Sequence, residues 1–566
     1  MYGICVNEVV QKQYAVTLSV RHEYKLFYDP GIVKLDEIPC ICKNINKPVA
    51  KRILPTSSNT AKLIVYKNCI KTMLAASHRQ AKSMPAMDPV IRDAWYEFCN
   101  DIFNNEIVPI LYNFKYSYNH WFNHLTSKQQ REILGIDISQ LDKYVYSNFP
   151  KVELQIDDSA KARNISAPNA EVKFVMGPVI WQLEYLFSKK FHGYCGGKTY
   201  QEMADYYQNC YEKGLDLSAQ GDGSGFDLSQ LHECKYIDRL IYNYLVDNNY
   251  ITHVDSEIFR SVSCRRYRKL MLTALIDGVH KQLGYMTLDA TVGSGSPDTT
   301  FGNTLRMAMY NRFVLEQILK LTKDDYGLLC KGDDFVLLIS KYYYNQLESA
   351  YYKFFLKAEE FDEVRDNNKP IKGAQILKFL LIGDYESIDF CSTNVIHRNN
   401  TIVVIRKVDR LVSLGHWSVK ALQYSKPELA LYYKALADCN KAWANNLFFF
   451  EGYTRVYQKY HDVLYKTLDA KELKMYKNFS RKGEVKITLP VVEKYRDDDS
   501  QDYKFGRDLG IALKERKQFN TVGDSYVNDF LIDKYKITKD VAILHIDKLL
   551  NCDEHLLYDN VSGQIM

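Results

Sequence analysis

The chain has 566 residues, a formal net charge of +5, 25% charged residues and 46% hydrophobic ones. This length allows a large buried core and several domains or subdomains, while the mild charge excludes a strong global field and leaves nucleic-acid binding to local basic patches. Thirteen scattered cysteines, odd in number and without Cys-x-x-Cys pairs, exclude a complete set of internal disulfides and predict free thiols of a reducing compartment. The N-terminal stretch has no signal-peptide core. Apolar runs such as Phe379–Ile382 and Phe448–Phe450 are too short to cross a bilayer, so a soluble protein is expected.

Residues 1–90 alternate short strand-like runs, Ala15–Val20 and Ala61–Val65, with Lys- and Pro-containing turns. From Met87 to Leu134 the pattern becomes helical and aromatic, and Thr126 or Ser127 can cap the helix that follows. His120 and His124 lie one helical turn apart, but no third ligand is near, which favours a structural role over a metal site. Residues 148–174 carry Lys151, Lys161 and Arg163 in strand-like surroundings closed by Pro168. Basic side chains spaced along extended backbone can line a groove and meet phosphate oxygens; a solvated basic strand is the simpler alternative.

The next segment reads as a helix over Val179–Phe191, a glycine-rich loop and a helix over Tyr200–Tyr211. The loop's Gly196–Thr199, GGKT, looks like a phosphate-binding loop. That motif needs a glycine where His192 stands, and it should follow a strand, whereas here a helix precedes it. Asp222 then ends a short apolar strand, and Asp227 follows after Gly-Ser-Gly-Phe. The Asp222 carboxylate can bind a metal while Asp227 faces the same site from the next turn, although an Asp-capped turn into a helix would read alike. Arg265–Lys269, RRYRK, is a basic cluster suited to a phosphate backbone or to solvent. Gly293–Pro297 form a flexible loop before a long helix that starts near Asp298, with Thr299 and Asn303 on one face.

Residues 328–340 carry the strongest signal. Apolar runs Tyr326–Cys330 and Phe335–Ile339 flank Lys331, Gly332, Asp333 and Asp334, the pattern of a β-hairpin with a Gly-Asp turn. Two carboxylates at one tip repel unless a cation lies between them, and hard oxygen ligands facing a phosphate cleft suit Mg²⁺. Beyond residue 400 the chain is helix-rich, and the Asp-rich run within Tyr495–Asp502 reads as a loop or linker. Phe448–Phe450 read as core.

In this order the segments resemble motifs A, B and C of viral RNA-dependent RNA polymerases. Asp222 and Asp227 match D-x4-D; Ser294, Gly295, Thr299 and Asn303 match S-G-x3-T-x3-N; Gly332, Asp333 and Asp334 match G-D-D. FPKVEL and KARNISAP resemble the basic motif F, and Ile388–Ile396 resembles motif E. The Phe-Cys-Ser of that last segment and the layout are most similar to tombusvirus- and nodavirus-like polymerases of positive-strand RNA viruses. The resemblance covers about residues 145–400.

The resemblance implies an α+β right-hand fold of fingers, palm and thumb, with an antiparallel palm sheet bearing the GDD hairpin. Residues 1–214 would form the fingers with an N-terminal extension. Residues 215–395 would form the palm with a fingers insertion, carrying motifs A (215–231), B (291–310), C (326–340), D (about 350–380) and E (386–397). Residues 396–566 would form the thumb and C-terminal region. It further implies template-directed RNA synthesis by two-metal nucleotidyl transfer, with Asp222, Asp333 and Asp334 holding Mg²⁺, for which Mn²⁺ can substitute. Asp227, Ser294 and Asn303 would read the ribose 2′-OH, with Thr299 in the same nucleotide site. Lys161 and Arg163 would neutralise the triphosphate, and Lys151 would line its entry. Lys378 has the spacing of the motif D general acid, with Lys372 as competitor. Lys331 stands where tyrosine is often found.

Partners implied are a single-stranded RNA template, the nascent duplex, NTPs, and viral or host replication-complex proteins. With no transmembrane segment of its own, the chain is expected in the host cytoplasm, brought to membranes by partners. Rival readings are an RNA-binding NTPase or helicase using the GGKT loop, a non-catalytic RNA-binding factor with a degenerate palm, and a reverse transcriptase.

Overall fold

In the computed structural model the described residues are 87–125, 127–136, 146–151, 154–155, 163–251, 259, 267–276, 279–289, 291–357, 375–398, 400–408, 417–418, 420–444, 448–482, 534 and 538–551. Short pieces at 25–26, 50–52, 54, 64–65 and 560–561 complete them. The expected strand at Ala15–Val20, the Asp-rich run near 495–502, Lys161 and Lys372 lie outside the described residues.

The first long helix, α1 (Pro89–Ile102), starts where Asp88 accepts the Val90 amide at 2.9 Å and Pro89 occupies the first turn. Proline has no N–H to leave unsatisfied there. Its inner face, with Trp95, Phe98, Cys99 and Ile102, is buried. Helix α2 spans Ala170–Lys190, nine residues ahead of the predicted start at Val179. Pro178 lies inside it, although its local chemistry favours a helix that begins only after it. The wall behind the proline is close-packed, since a Cβ on Gly177 would lie 2.3 Å from the Trp121 ring. Burial against Trp121 and the core therefore outweighs the local penalty of the proline.

A two-residue strand β1 (Gly193–Tyr194) separates α2 from the GGKT loop, where the sequence predicts no strand. Helix α3 (Tyr200–Glu212) then begins with a reciprocal capping box between Thr199 and Glu202. Strand β2 (Leu217–Gly223), helix α4 (Tyr236–Asp247) and helix α5 (Thr299–Arg312) follow. Every residue of α5 from Phe301 to Arg312 is buried, so this helix is the axis of the main core. Around it, Trp95, Tyr310, Phe313 and Phe354 form a ring cluster with centroids 4.8–6.1 Å apart. Each such phenylalanine contributes about 2 kcal/mol of burial.

Strands β3 (Tyr326–Lys331), β4 (Asp334–Ile339), β5 (Phe355–Lys357) and β6 (Gln375–Gly383) complete a six-stranded sheet in the order β5-β6-β2-β4-β3-β1. The four middle strands are antiparallel, but the edge pairs β5–β6 and β3–β1 are parallel. The sheet is thus mixed and not wholly antiparallel as expected. Residues Leu328–Cys330 and Phe335–Ile339 are buried without alternation, the pattern of strands covered on both faces. Helix α3 guards one edge, where the Tyr206 hydroxyl accepts from the Leu328 amide at 2.8 Å.

Hairpin β7 (Thr393–Arg398)–β8 (Thr401–Arg406) comes next. Helices α6 (Lys426–Ala444), α7 (Phe448–Lys466), α8 (Ala470–Lys482) and α9 (Lys539–Asn551) enclose a second core. Phe450 is part of it, as the sequence suggested. A separate five-stranded sheet pairs Tyr146–Pro150 with Asn164–Pro168 and carries the long hairpin Tyr267–Ile276/Val279–Asp289. Tyr267, Arg268 and Lys269 of the RRYRK cluster open the first strand of that hairpin, and Arg265 and Arg266 lie outside the described residues. The fold is mixed α+β with a central mixed sheet.

Candidate active site

Strand register builds the site. Asp334 lies directly opposite Asp222 in the β4–β2 ladder, and Lys331 opposite Asp334 closes β3 and β4 with only Gly332 and Asp333 at the tip. Gly332 has φ +65°, which a tight two-residue hairpin turn requires and glycine adopts without strain. Two hydrogen bonds fix that tip: the Gly332 amide donates to Thr304 Oγ1 on α5 at 2.9 Å, and the Gly223 amide donates to the Asp333 carbonyl at 3.1 Å. Gly221, inside β2, leaves room for the Phe335 ring, since a Cβ there would lie 2.6 Å from it.

The outcome is a cluster in which carboxylate oxygens of Asp222, Asp333 and Asp334 all lie within 4.8 Å of one another. Asp333 is solvent-exposed and Asp334 partly so, yet both are crowded by protein and by like charge. Loss of hydration, then the Asp222 carboxylate, raises Asp333 to about 6. Loss of hydration, then Asp333 and Asp222, raises Asp334 to about 7. Arg163 pulls Asp333 downward and Lys378 does so for Asp334. Three hard oxygen donors this close, held by backbone register and mutually repulsive, fit a divalent cation such as Mg²⁺ or Mn²⁺.

Lys378 reaches this cluster through an irregularity. The β6–β2 register shifts between Leu377 and Phe379, so Lys378 is the extra residue of a bulge, a device that re-aims a side chain beside a site. Its Nζ lies 3.3 Å from Asp222 Oδ2, with 59% of the side chain exposed.

Beside the carboxylates lies a further layer. Asn303 Nδ2 on α5 donates to Asp227 Oδ1 at 2.7 Å, and the Asp227 carbonyl accepts from the Val292 amide at 2.8 Å. The structure thus brings Asp227 and Asn303, which the resemblance assigns to one nucleotide site, into direct contact. Ser294 is placed differently: its hydroxyl donates to the Asn164 carbonyl at 2.9 Å and accepts the Ser166 amide at 3.1 Å. It pins the Gly293–Asp298 loop to strand Asn164–Pro168. Thr299 Oγ1 donates to the Gly293 carbonyl and closes the same loop. Arg163 is exposed at the start of that strand, and the Lys151 amide donates to its carbonyl at 2.6 Å.

The comparison with protein families decides what this arrangement belongs to. Residues 119–440, more than half of the chain, match the family described as viral RNA-dependent RNA polymerase. The chain belongs to that family. It is an RNA-directed RNA polymerase, a nucleotidyltransferase that copies viral RNA and binds an RNA template and NTPs. Polymerases of this family use divalent metal ions, and the carboxylate cluster supplies donors for them. A search of curated proteins gives no match.

Two other sequence features have structural jobs in this polymerase. Lys198 Nζ donates to the Ser188 carbonyl at 3.4 Å, while Thr199 caps α3, so the GGKT loop is a capped turn. His120 and His124 flank Trp181 with centroids 4.9 Å away, and His124 Nδ1 lies 2.6 Å from the His120 carbonyl, so the pair packs as the sequence suggested. The seven cysteines among the described residues are free, and among these residues no helix is long and apolar enough to cross a membrane.

Sequence reasoning missed the groups behind the site. Gln230, Asp238, Arg306 and Gln375 are buried and mutually hydrogen-bonded. Their linear trace is slight: Arg306 stands three residues beyond Asn303, in a helix whose residues are buried from Phe301 to Arg312.

Proposed function

We propose that the chain is a right-hand polymerase in which the six-stranded sheet is the palm, with fingers within 1–214 and a thumb within 396–566. Asp222, Asp333 and Asp334 hold two Mg²⁺ ions, or Mn²⁺. The observation that carries this is the convergence of three carboxylates from β2 and the β3–β4 tip within 4.8 Å. When bound, the metal pair lowers the pKa of the attacking 3′-OH and steadies the triphosphate.

This chain's own residues supply the rest. Asp227, held by Asn303, accepts the ribose 2′-OH and so separates NTP from dNTP. Ser294 and Thr299 shape the loop on which the nucleotide rests, acting through the backbone they fasten. Arg163, whose charge already reaches Asp333, meets the triphosphate with Lys161, and Lys151 lines the approach. Lys378, 3.3 Å from Asp222, is placed to protonate the leaving pyrophosphate, with Lys372 as its rival. Phe390-Cys391-Ser392 supports a tombusvirus- or nodavirus-like, positive-strand origin. Replication-complex proteins bring the enzyme to cytoplasmic membranes of the host.

Labelled-NTP incorporation on single-stranded RNA with Mg²⁺ or Mn²⁺ tests the metal site. Template-length product is expected from the natural protein and none from Asp333→Ala. Undiminished product in the variant would sink the assignment, and a preference for dNTPs would restore reverse transcription.

A further inference from the structure

We propose that Arg306, locked to Asp238, is a positioning residue for ribose selection: it fixes the Asn303 carboxamide in the one orientation that holds Asp227 for a ribose hydroxyl. This rests on the ribose-reading role assigned above to Asp227 and Asn303. Arg306 and Asp238 are each 2% exposed in their side chains. All three nitrogens of the guanidinium are engaged. Nη1 donates to both Asp238 oxygens at 2.7 Å, Nη2 donates to Asn303 Oδ1 at 2.7 Å, and Nε donates to Gln230 Oε1 at 2.9 Å.

A guanidinium only donates. Asn303 must therefore turn its carbonyl oxygen toward Arg306, which leaves its NH₂ to face Asp227, 2.7 Å away. Without Arg306, only Asp227 would orient the carboxamide, and any flip would turn its oxygen on the carboxylate and push Asp227 out of place. The opposite charge of Asp238 keeps Arg306 from pairing with Asp227 itself.

The layer beneath is closed too. Gln230 also accepts from the Tyr310 hydroxyl at 2.9 Å and donates to Gln375 Oε1 at 2.8 Å, and Gln375 opens the strand that carries Lys378. Gly302 shows that α5 makes room for this pair. A Cβ there would lie 2.8 Å from Arg306 Nη1 and 2.9 Å from Asp238 Oδ1, so the helix carries a glycine where alanine would favour its own formation.

The test is the ratio of NTP to dNTP incorporation efficiency, measured with purified full-length enzyme on an RNA template. Arg306→Lys keeps the charge but not the planar fork, and Gly302→Ala keeps every polar group while wedging a methyl into the pair. Asp238→Leu/Arg306→Met removes both charges together, a replacement buried ion pairs often tolerate. Each is expected to lower the ratio about tenfold, the worth of one oriented hydrogen bond to a charged group. The loss should fall on NTP efficiency, with dNTP use unchanged.

Combined with Asn303→Ala, which lowers the ratio by itself, Arg306→Lys should add nothing further, an outcome a merely structural role would not give. A natural ratio in Arg306→Lys and Gly302→Ala, with Asn303→Ala still lowering it, overturns the positioning role alone. If Asn303→Ala keeps the natural ratio while Asp333→Ala is dead, the ribose reading fails and takes this inference with it.

Discussion

Divalent metal should stabilise this polymerase far more at alkaline than at acid pH. An ordinary Asp ionises at 3.8, whereas Asp333 is raised to about 6 and Asp334 to about 7. Between those values the folded chain holds protons that the unfolded chain has released. Stability therefore falls as pH rises from about 4 to about 7, and the full penalty stands above that window. At about 1.4 kcal/mol for each tenfold shift the two groups sum to several kcal/mol. Solvent around the exposed Asp333 screens part of this and leaves about 3 kcal/mol.

A cation between the carboxylates relieves that repulsion, and a ligand at about a hundred times its Kd adds about 2.7 kcal/mol of apparent stability. The assay is thermal melting with and without Mg²⁺ or Mn²⁺ at about pH 8 and about pH 5.5. A rise of a few degrees is expected at the higher pH, with little at the lower, where protons already occupy the site. Asp334→Asn should melt higher than the natural protein without metal at the higher pH, and should respond less to metal. An equal metal response at both pH values, or a full response in Asp222→Asn/Asp333→Asn, would refute the account.

Lys378→Ala should slow single-nucleotide incorporation about a hundredfold, the usual scale for losing a general acid, with the NTP KM nearly constant. An unaffected rate, with Lys372→Ala slow instead, would move that role to Lys372. Arg312→Met should cost about 3–5 kcal/mol in urea unfolding. It removes a fully buried guanidinium 2.6 Å from Glu106 and 2.7 Å from Glu316, and a change under about 1 kcal/mol would show that the two ion pairs contribute no more than exposed ones do.

What can be read in the linear chain is whatever local chemistry determines. The β3–β4 hairpin follows from a Gly-Asp turn between apolar runs, and α3 begins at its Thr-Glu capping box. Asp222 and Asp333 are legible because their spacing within short motifs reflects backbone turns. The Lys378 bulge is not, since it arises from how two strands far apart in sequence fall into register. Nor is the Arg306–Asp238 pair, whose members lie 68 residues apart and meet only when α4 packs on α5. Helix α2 runs through Pro178 because tertiary burial outweighs a local breaker. Cys391 and Ser392 both take left-handed backbone, φ 54° and 60°, before β7, which neither residue type announces.

The central place of β2 carries a consequence for synthesis of the chain on the ribosome. Both of its neighbours, β4 and β6, are made after it, and Lys378 follows Asp222 by 156 residues. At about 5–20 residues per second that gap lasts about 8–30 s. Strand β2 waits with two unpaired edges until β4 is made and with one until β6 follows, the kind of segment that other chains can capture. The three acids can meet once β4 is made, Lys378 joins them only with β6, and the nascent chain needs shelter over the same interval.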